Sequence, residues 1–220
     1  MKKRTDLFSI LALAIMGTFI VMTFLDNSSG LLSSRDSQAP KAAASLLIDN
    51  FEDGDLTNLI NTKWATFNDN ALGGKSEIAA AVVPGGAKRS KKSLRLNGKV
   101  TTDFKYGGFA GLRMLFDPSG KGVKDVNPYS GIEFYARGDG RQYRLEVMTA
   151  AVKDHSEYGK EFPTSREWKL YQIPFSQLSQ PQEFGRKVKW TGTDALGIVF
   201  MTSGFPIESY SFQIDEIRFY

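Results

Sequence analysis

GIEFYARGDGRQYRLEVM, residues 131–148, decides the fold. Side chains alternate across an extended chain with period two. Ile132, Phe134 and Ala136 therefore share one face, and Glu133, Tyr135 and Arg137 the other. Gly138-Asp139-Gly140 turns the chain. Tyr143, Leu145 and Val147 then alternate with Arg144, Glu146 and Met148. The segment reads as two strands, each with one apolar face, joined by a turn.

The same pattern extends outward. Ser93 to Leu96 opens a strand with both leucines on one face, and Trp168 to Ile173 forms another that Pro174 stops. Leu196 to Met201 is almost continuously apolar, as a central strand is. Phe212 and Ile214 share one phase, while Ile217 and Phe219 share the opposite one. One extra residue near Asp215 or Glu216 reconciles them, which predicts a β-bulge there. No internal repeat is present, and no long stretch keeps an apolar period near 3.6. Residues 46–220 therefore read as one all-β domain, a β-sandwich or jelly roll.

Upstream, Lys2, Lys3 and Arg4 precede an uncharged run from Leu7 to Leu25. At about 1.5 Å per residue a helix there spans roughly 28 Å, close to the hydrocarbon thickness of a bilayer. The run reads as a retained transmembrane anchor in contact with membrane lipid. A cleaved signal peptide is the alternative, with a shorter apolar core and a small-x-small site that Asp26-Asn27-Ser28-Ser29-Gly30 lacks. The basic residues place the N-terminus in the cytoplasm. The expected order is a basic stub (1–6), an anchor (7–25), a linker rich in Ser, Ala, Asn and Asp (26–45) and the sandwich (46–220). This predicts a single-pass protein of the inner or plasma membrane, with its C-terminal domain periplasmic or extracellular.

The absence of cysteine excludes disulfides, thiolate metal sites and a cysteine nucleophile, and one histidine excludes a multi-histidine centre within the chain. The net charge is +4, part of it carried by residues 1–45, so nucleic acid is not an expected partner. Gly73-Gly74-Lys75-Ser76 lacks the earlier glycine of a phosphate-binding loop, because Asp69 stands there. His155, beside Asp154, Ser156 and Glu157, lies in a polar loop and not in a catalytic arrangement. The basic run Lys88, Arg89, Lys91 and Lys92 reads as a solvated loop, with a membrane or partner contact as the alternative.

An ordered set of motifs carries a family resemblance. It comprises Trp64; Asn68-Asp69-Asn70-Ala71-Leu72-Gly73-Gly74-Lys75-Ser76; Gly107-Gly108-Phe109-Ala110-Gly111-Leu112-Arg113; Tyr129-Ser130-Gly131-Ile132; Ala136 to Tyr143; and Trp168 before Ile173-Pro174-Phe175-Ser176. Over about residues 48–220 the chain resembles the complex I intermediate-associated protein family, its thirty-kilodalton branch. That resemblance implies a galactose-binding-like jelly roll of the kind shared with carbohydrate-binding modules. It also implies a role in assembling a respiratory complex, from which the N-terminal membrane segment departs.

Two sites follow. The acidic opening Asp49 to Asp55 and the closing Ser211 to Ile217 resemble the two ends of family 11 carbohydrate-binding modules, where first and last strands hold a structural calcium. Glu52, Asp53 and Asp215 are the expected ligands, with Asp55 as an alternate; the other reading is a solvated acidic turn. Asp69 and Asn70 are candidates to line a ligand groove, the other reading being a tight turn at Gly73 and Gly74; Tyr135 and Tyr143 are candidates for a stacking platform, the other reading being packing in the core. The expected function is a non-catalytic accessory or assembly subunit, presenting its sandwich at the extracytoplasmic face of a membrane protein complex. The alternative is a membrane-tethered carbohydrate-binding module with a polysaccharide partner. A glycoside-processing enzyme is the third reading.

Overall fold

The computed structural model describes residues 44–220, which belong to one compact unit. The predicted anchor (7–25) and most of the linker (26–45) lie outside the described residues. Among the described residues no helix is long and apolar enough to cross a membrane.

Eleven strands run in chain order through the described residues. They are β1 (Leu46–Asp49), β2 (Trp64–Asn68), β3 (Glu77–Pro84), β4 (Lys92–Val100), β5 (Gly108–Leu115), β6 (Gly131–Gly138), β7 (Gln142–Thr149), β8 (Tyr158–Pro163), β9 (Lys169–Pro174), β10 (Ala195–Gly204) and β11 (Ile207–Phe219). They build two antiparallel sheets. One runs β3-β4-β11-β6-β9, with β1 added beside β11; the other runs β2-β5-β10-β7-β8. The all-β sandwich is as the sequence predicts. The turn at Gly138-Asp139-Gly140 carries the chain from one sheet to the other, so β6 and β7 are not neighbours.

The core lies between the sheets and is rich in rings. Phe134 meets Phe162 and Phe200 edge-to-face, each at 5.0 Å, a favoured arrangement for aromatic quadrupoles. Leu94 and Leu96 are fully buried there, as their shared phase predicts.

The expected bulge is present. Against β6, Asp215 pairs with Tyr135 and Arg218 with Glu133, so β11 carries one extra residue. Glu216 absorbs it at φ 50°, in the left-handed region. The bulge also marks a change of neighbour. β4 pairs β11 up to Ile214, and β1 pairs it from Ile217 onward.

Candidate binding face

The motif Asn68 to Ser76 builds a latch. Asp69 opens a 3-10 turn and is fully buried. Its Oδ1 accepts the Ser76 N–H at 2.9 Å, and its Oδ2 accepts the Ser76 hydroxyl at 2.7 Å and the Phe109 N–H at 3.1 Å. Gly74 donates its N–H to the Asp69 carbonyl, and any Cβ at Gly74 would collide with the Asp69 carboxyl. The motif is thus needed for structure, and it fixes where β5 begins.

β5 runs along the five-stranded sheet, whose outer face carries a patterned row. Leu112, Ile198, Phe200, Leu145 and Val147 point inward and are buried, so their strand neighbours point out. Register aligns Phe67, Gly111, Met201, Arg144 and Glu161 across all five strands. A second row aligns Ala65, Arg113, Val199, Glu146 and Gly159.

Two glycines give these rows their relief. A Cβ on Gly111 would lie 2.6 Å from the Phe67 ring, and one on Gly159 would lie 2.6 Å from Arg144 Nε. The Phe67 ring and the Arg144 guanidinium therefore rest directly on bare backbone. Arg144 is fixed in its own plane by Glu146 Oε1 (2.7 Å), Glu161 Oε1 (3.2 Å) and the Ser179 carbonyl (3.1 Å). In-plane bonds leave the guanidinium faces without hydrogen bonds; one rests on Gly159, and the side chain keeps 19% of its surface exposed. Met201 lies between these two flat groups. Arg113 stands over the Phe67 ring at 5.8 Å.

Buried carboxyls support the row. Burial raises the Glu146 carboxyl, against the lowering pull of Arg144. Glu157 accepts the Thr149 N–H at 3.3 Å, and burial lifts it to about 7, with repulsion from Glu146 adding to the rise. From Phe67 a chain of rings leads off the sheet: Phe109 at 6.1 Å, then Phe104 at 6.3 Å, then Tyr106 at 5.5 Å. Tyr106 is 77% exposed, and Phe205, in the turn after β10, is 87% exposed.

The residues predicted for ligand binding do not form one surface. Tyr143 is in the core, its ring 3.9 Å from Phe212 and its hydroxyl bonded to Asp139. Tyr135 is on the outer face of the other sheet, beneath the Lys88 ammonium at 4.7 Å. A Tyr135–Tyr143 platform is therefore corrected: the two strands belong to different sheets. Asp69 is likewise corrected, from groove lining to buried latch. Asn70 is exposed on the 3-10 turn, where its N–H caps onto Asn68. His155 is exposed in a loop, as expected. Only strand register aligns Phe67, Met201 and Arg144, so no local sequence pattern marks them.

The metal candidates separate similarly. Glu52 and Asp215 both reach the β3–β4 loop, and Glu52 lines a depression of about 640 Å³ with Ala87, Lys88, Arg89, Ser90 and Glu216. Three of the four carboxylate oxygens of Glu52 and Asp215, however, face donors. Glu52 Oε1 accepts the Ser90 hydroxyl (2.8 Å) and the N–H groups of Lys91 (2.7 Å) and Lys92 (2.9 Å). Asp215 accepts the N–H groups of Ala87 (2.7 Å) and Glu216 (2.8 Å). Asp53 is exposed and closes a local turn onto Asp55. Among the described residues no group of three or more acidic or histidine side chains converges on a metal position. A calcium ion needs six to eight oxygens, and this donor-lined set does not fit one.

The chain belongs to the family Complex I intermediate-associated protein 30 (CIA30), whose model matches residues 51–203. It is also 26% identical over 166 residues to Endoglucanase 3 of Fibrobacter succinogenes, covering 72% of this chain and 24% of that protein. The chain thus spans about a quarter of that relative's length. Its fold is similar to the family 11 carbohydrate-binding module of the cellulase Lic26A-Cel5E of Clostridium thermocellum. The TM-score is 0.61 at 16% identity, over 81% of this chain and 95% of the module. A Clostridium thermocellum family 11 module in complex with a β-1,3-1,4-mixed-linked tetrasaccharide matches with the same TM-score and identity, over 81% of this chain and 96% of the module.

Proposed function

We propose that this protein is a non-catalytic carbohydrate-binding module that takes an extended polysaccharide across the outer face of its five-stranded sheet. One observation carries the reading: two adjoining cross-strand rows in which the Phe67 ring packs on Gly111 and the Arg144 guanidinium on Gly159, with Met201 between. Flat apolar and cationic groups stack on the C–H faces of a sugar ring, while Glu161 and Arg113 offer hydrogen bonds to its hydroxyls. The fold shared with a module in complex with a mixed-linked tetrasaccharide, and the matched stretch of an endoglucanase, support the same reading. They favour it over the role of assembly subunit. The apolar run 7–25 and its basic flank support display from a membrane, outside the cytoplasm.

Titrating the full chain with mixed-linked β-glucan, cello-oligosaccharides, xylan and galactan tests the proposal. Phe67→Ala and Arg144→Ala should each weaken the best ligand at least tenfold, about 1.4 kcal/mol, with the fold intact. No binding at millimolar ligand overturns it. Orientation is tested at Ser37→Cys in a chain without other cysteines. An impermeant maleimide should label it without lysis of the inner membrane.

A further inference from the structure

The junction of the domain's two ends is strongly acidic. Asp49 ends β1, Glu52, Asp53 and Asp55 lie in the opening turn that follows, and Asp215 and Glu216 lie at the bulge of β11. Such a cluster repels itself unless a cation or hydrogen-bond donors face it. The β3–β4 loop supplies the donors, and Lys92, the first residue of β4, the cation. The loop folds between the two ends, with Ala87 fully buried. Gly86 packs so tightly that a Cβ there would lie 2.6 Å from Asp215 Oδ2. The Ser90 hydroxyl bridges Glu52 Oε1 and the Lys92 carbonyl, each at 2.8 Å.

Lys92 completes the junction. Its Nζ donates to the Glu52 main-chain carbonyl at 2.9 Å. The ammonium lies directly over Gly54, where a Cβ would sit 2.8 Å from Nζ. Gly54, at φ +91°, thus serves both the turn and the berth of the lysine. A divalent ion brought to this carbonyl would meet the fixed positive charge of Lys92, a repulsion that grows as the site dries.

We infer that the Lys92 ammonium is the domain's built-in cation, tying the opening turn to β4, the strand paired with terminal β11, in the role the resemblance gives to calcium, so that closure needs no metal. A covalently held charge does not dissociate, so the junction stays closed at any calcium level.

The full chain, purified in mild detergent, is melted in calcium, in magnesium and in excess chelator. The wild type should melt within about 1 °C in all three, whereas Lys92→Met should fall by about 2–4 °C or more. Lys91→Met, which removes an exposed side chain and keeps the backbone N–H to Glu52, should melt like the wild type. A calcium response that appears only in Lys92→Met also supports the assignment. A calcium-specific rise in the wild type overturns it, as does a Lys92→Met variant that melts with the wild type. The metal comparison on the wild type stands even if the variant fails to fold. None of these readouts depends on glycan binding.

Discussion

The carboxylate of Asp69 accepts the backbone N–H of Phe109 at 3.1 Å, across forty residues of chain. This bond ties the family's signature turn to the ring that flanks Phe67, so a buried latch positions an exposed surface. Replacing Asp69 by Asn places an NH2 group against at least one N–H or O–H donor. The unsatisfied buried donor should cost about 1–3 kcal/mol. At about 2–4 °C per kcal/mol, a thermal melt resolves that loss. Glycan affinity should fall too, because the start of β5 loses its anchor.

Gly159→Ala tests the platform from the other side. The new Cβ would meet the Arg144 guanidinium, the far end of a flexible side chain that can move away. The fold should therefore persist, helped by the lower chain entropy of Ala, worth about 0.5–1 kcal/mol. Glycan affinity should drop as far as in Arg144→Ala. A melt together with a titration separates the two effects, and undiminished binding would detach Arg144 from the site.

Tyr143→Phe distinguishes core from surface. The Tyr143 hydroxyl donates to Asp139, which also accepts the Ser211 N–H at 3.0 Å. Losing that bond should cost about 0.5–1.5 kcal/mol of stability and leave glycan affinity unchanged. Tyr143→Ala, which opens a cavity beside Phe212, should cost about 3–5 kcal/mol.

Local pattern made several of these features legible in sequence. The bulge at Glu216 follows from two incompatible apolar phases in one strand. The inward face of β7 follows from the shared phase of Tyr143, Leu145 and Val147. That same phase puts Tyr143 in the core, the other reading that a strand tyrosine allows beside a stacking platform. The family motif at Asn68 to Ser76 is visible too, but polar residues with glycines suit a ligand loop and a buried latch equally well. Burial of Asp69 decides between them. The row from Phe67 to Glu161 is not legible, because it depends on register among five strands that are not consecutive in the chain. The donors around Glu52 are hidden for a related reason: they are mostly backbone N–H groups of a distant loop. Sequence shows the carboxylates but not what they accept.

Stability should rise on mild acidification. Burial lifts Asp49 and Asp215 to about 6 and Glu157 to about 7, all above their ordinary values. Between roughly pH 4 and 7 the folded chain therefore holds protons on these groups that the unfolded chain has lost. With more protons bound in the folded state, stability falls as pH rises through this window. The penalty is full above the folded values and vanishes below the unfolded ones. Carboxyls held low by hydrogen bonds act oppositely and weaken the fold at lower pH. Asp154, held at about 2 chiefly by the Ser156 hydroxyl, is one of them. The melting temperature should peak near pH 5 and decline toward pH 8. Glu157→Gln keeps an acceptor for the Thr149 N–H but removes one titrating group. It should melt about 2–4 °C above the wild type at pH 8 and level with it near pH 4.5. A difference that stays constant from pH 4.5 to 8 would show that the Glu157 carboxyl does not titrate in this range.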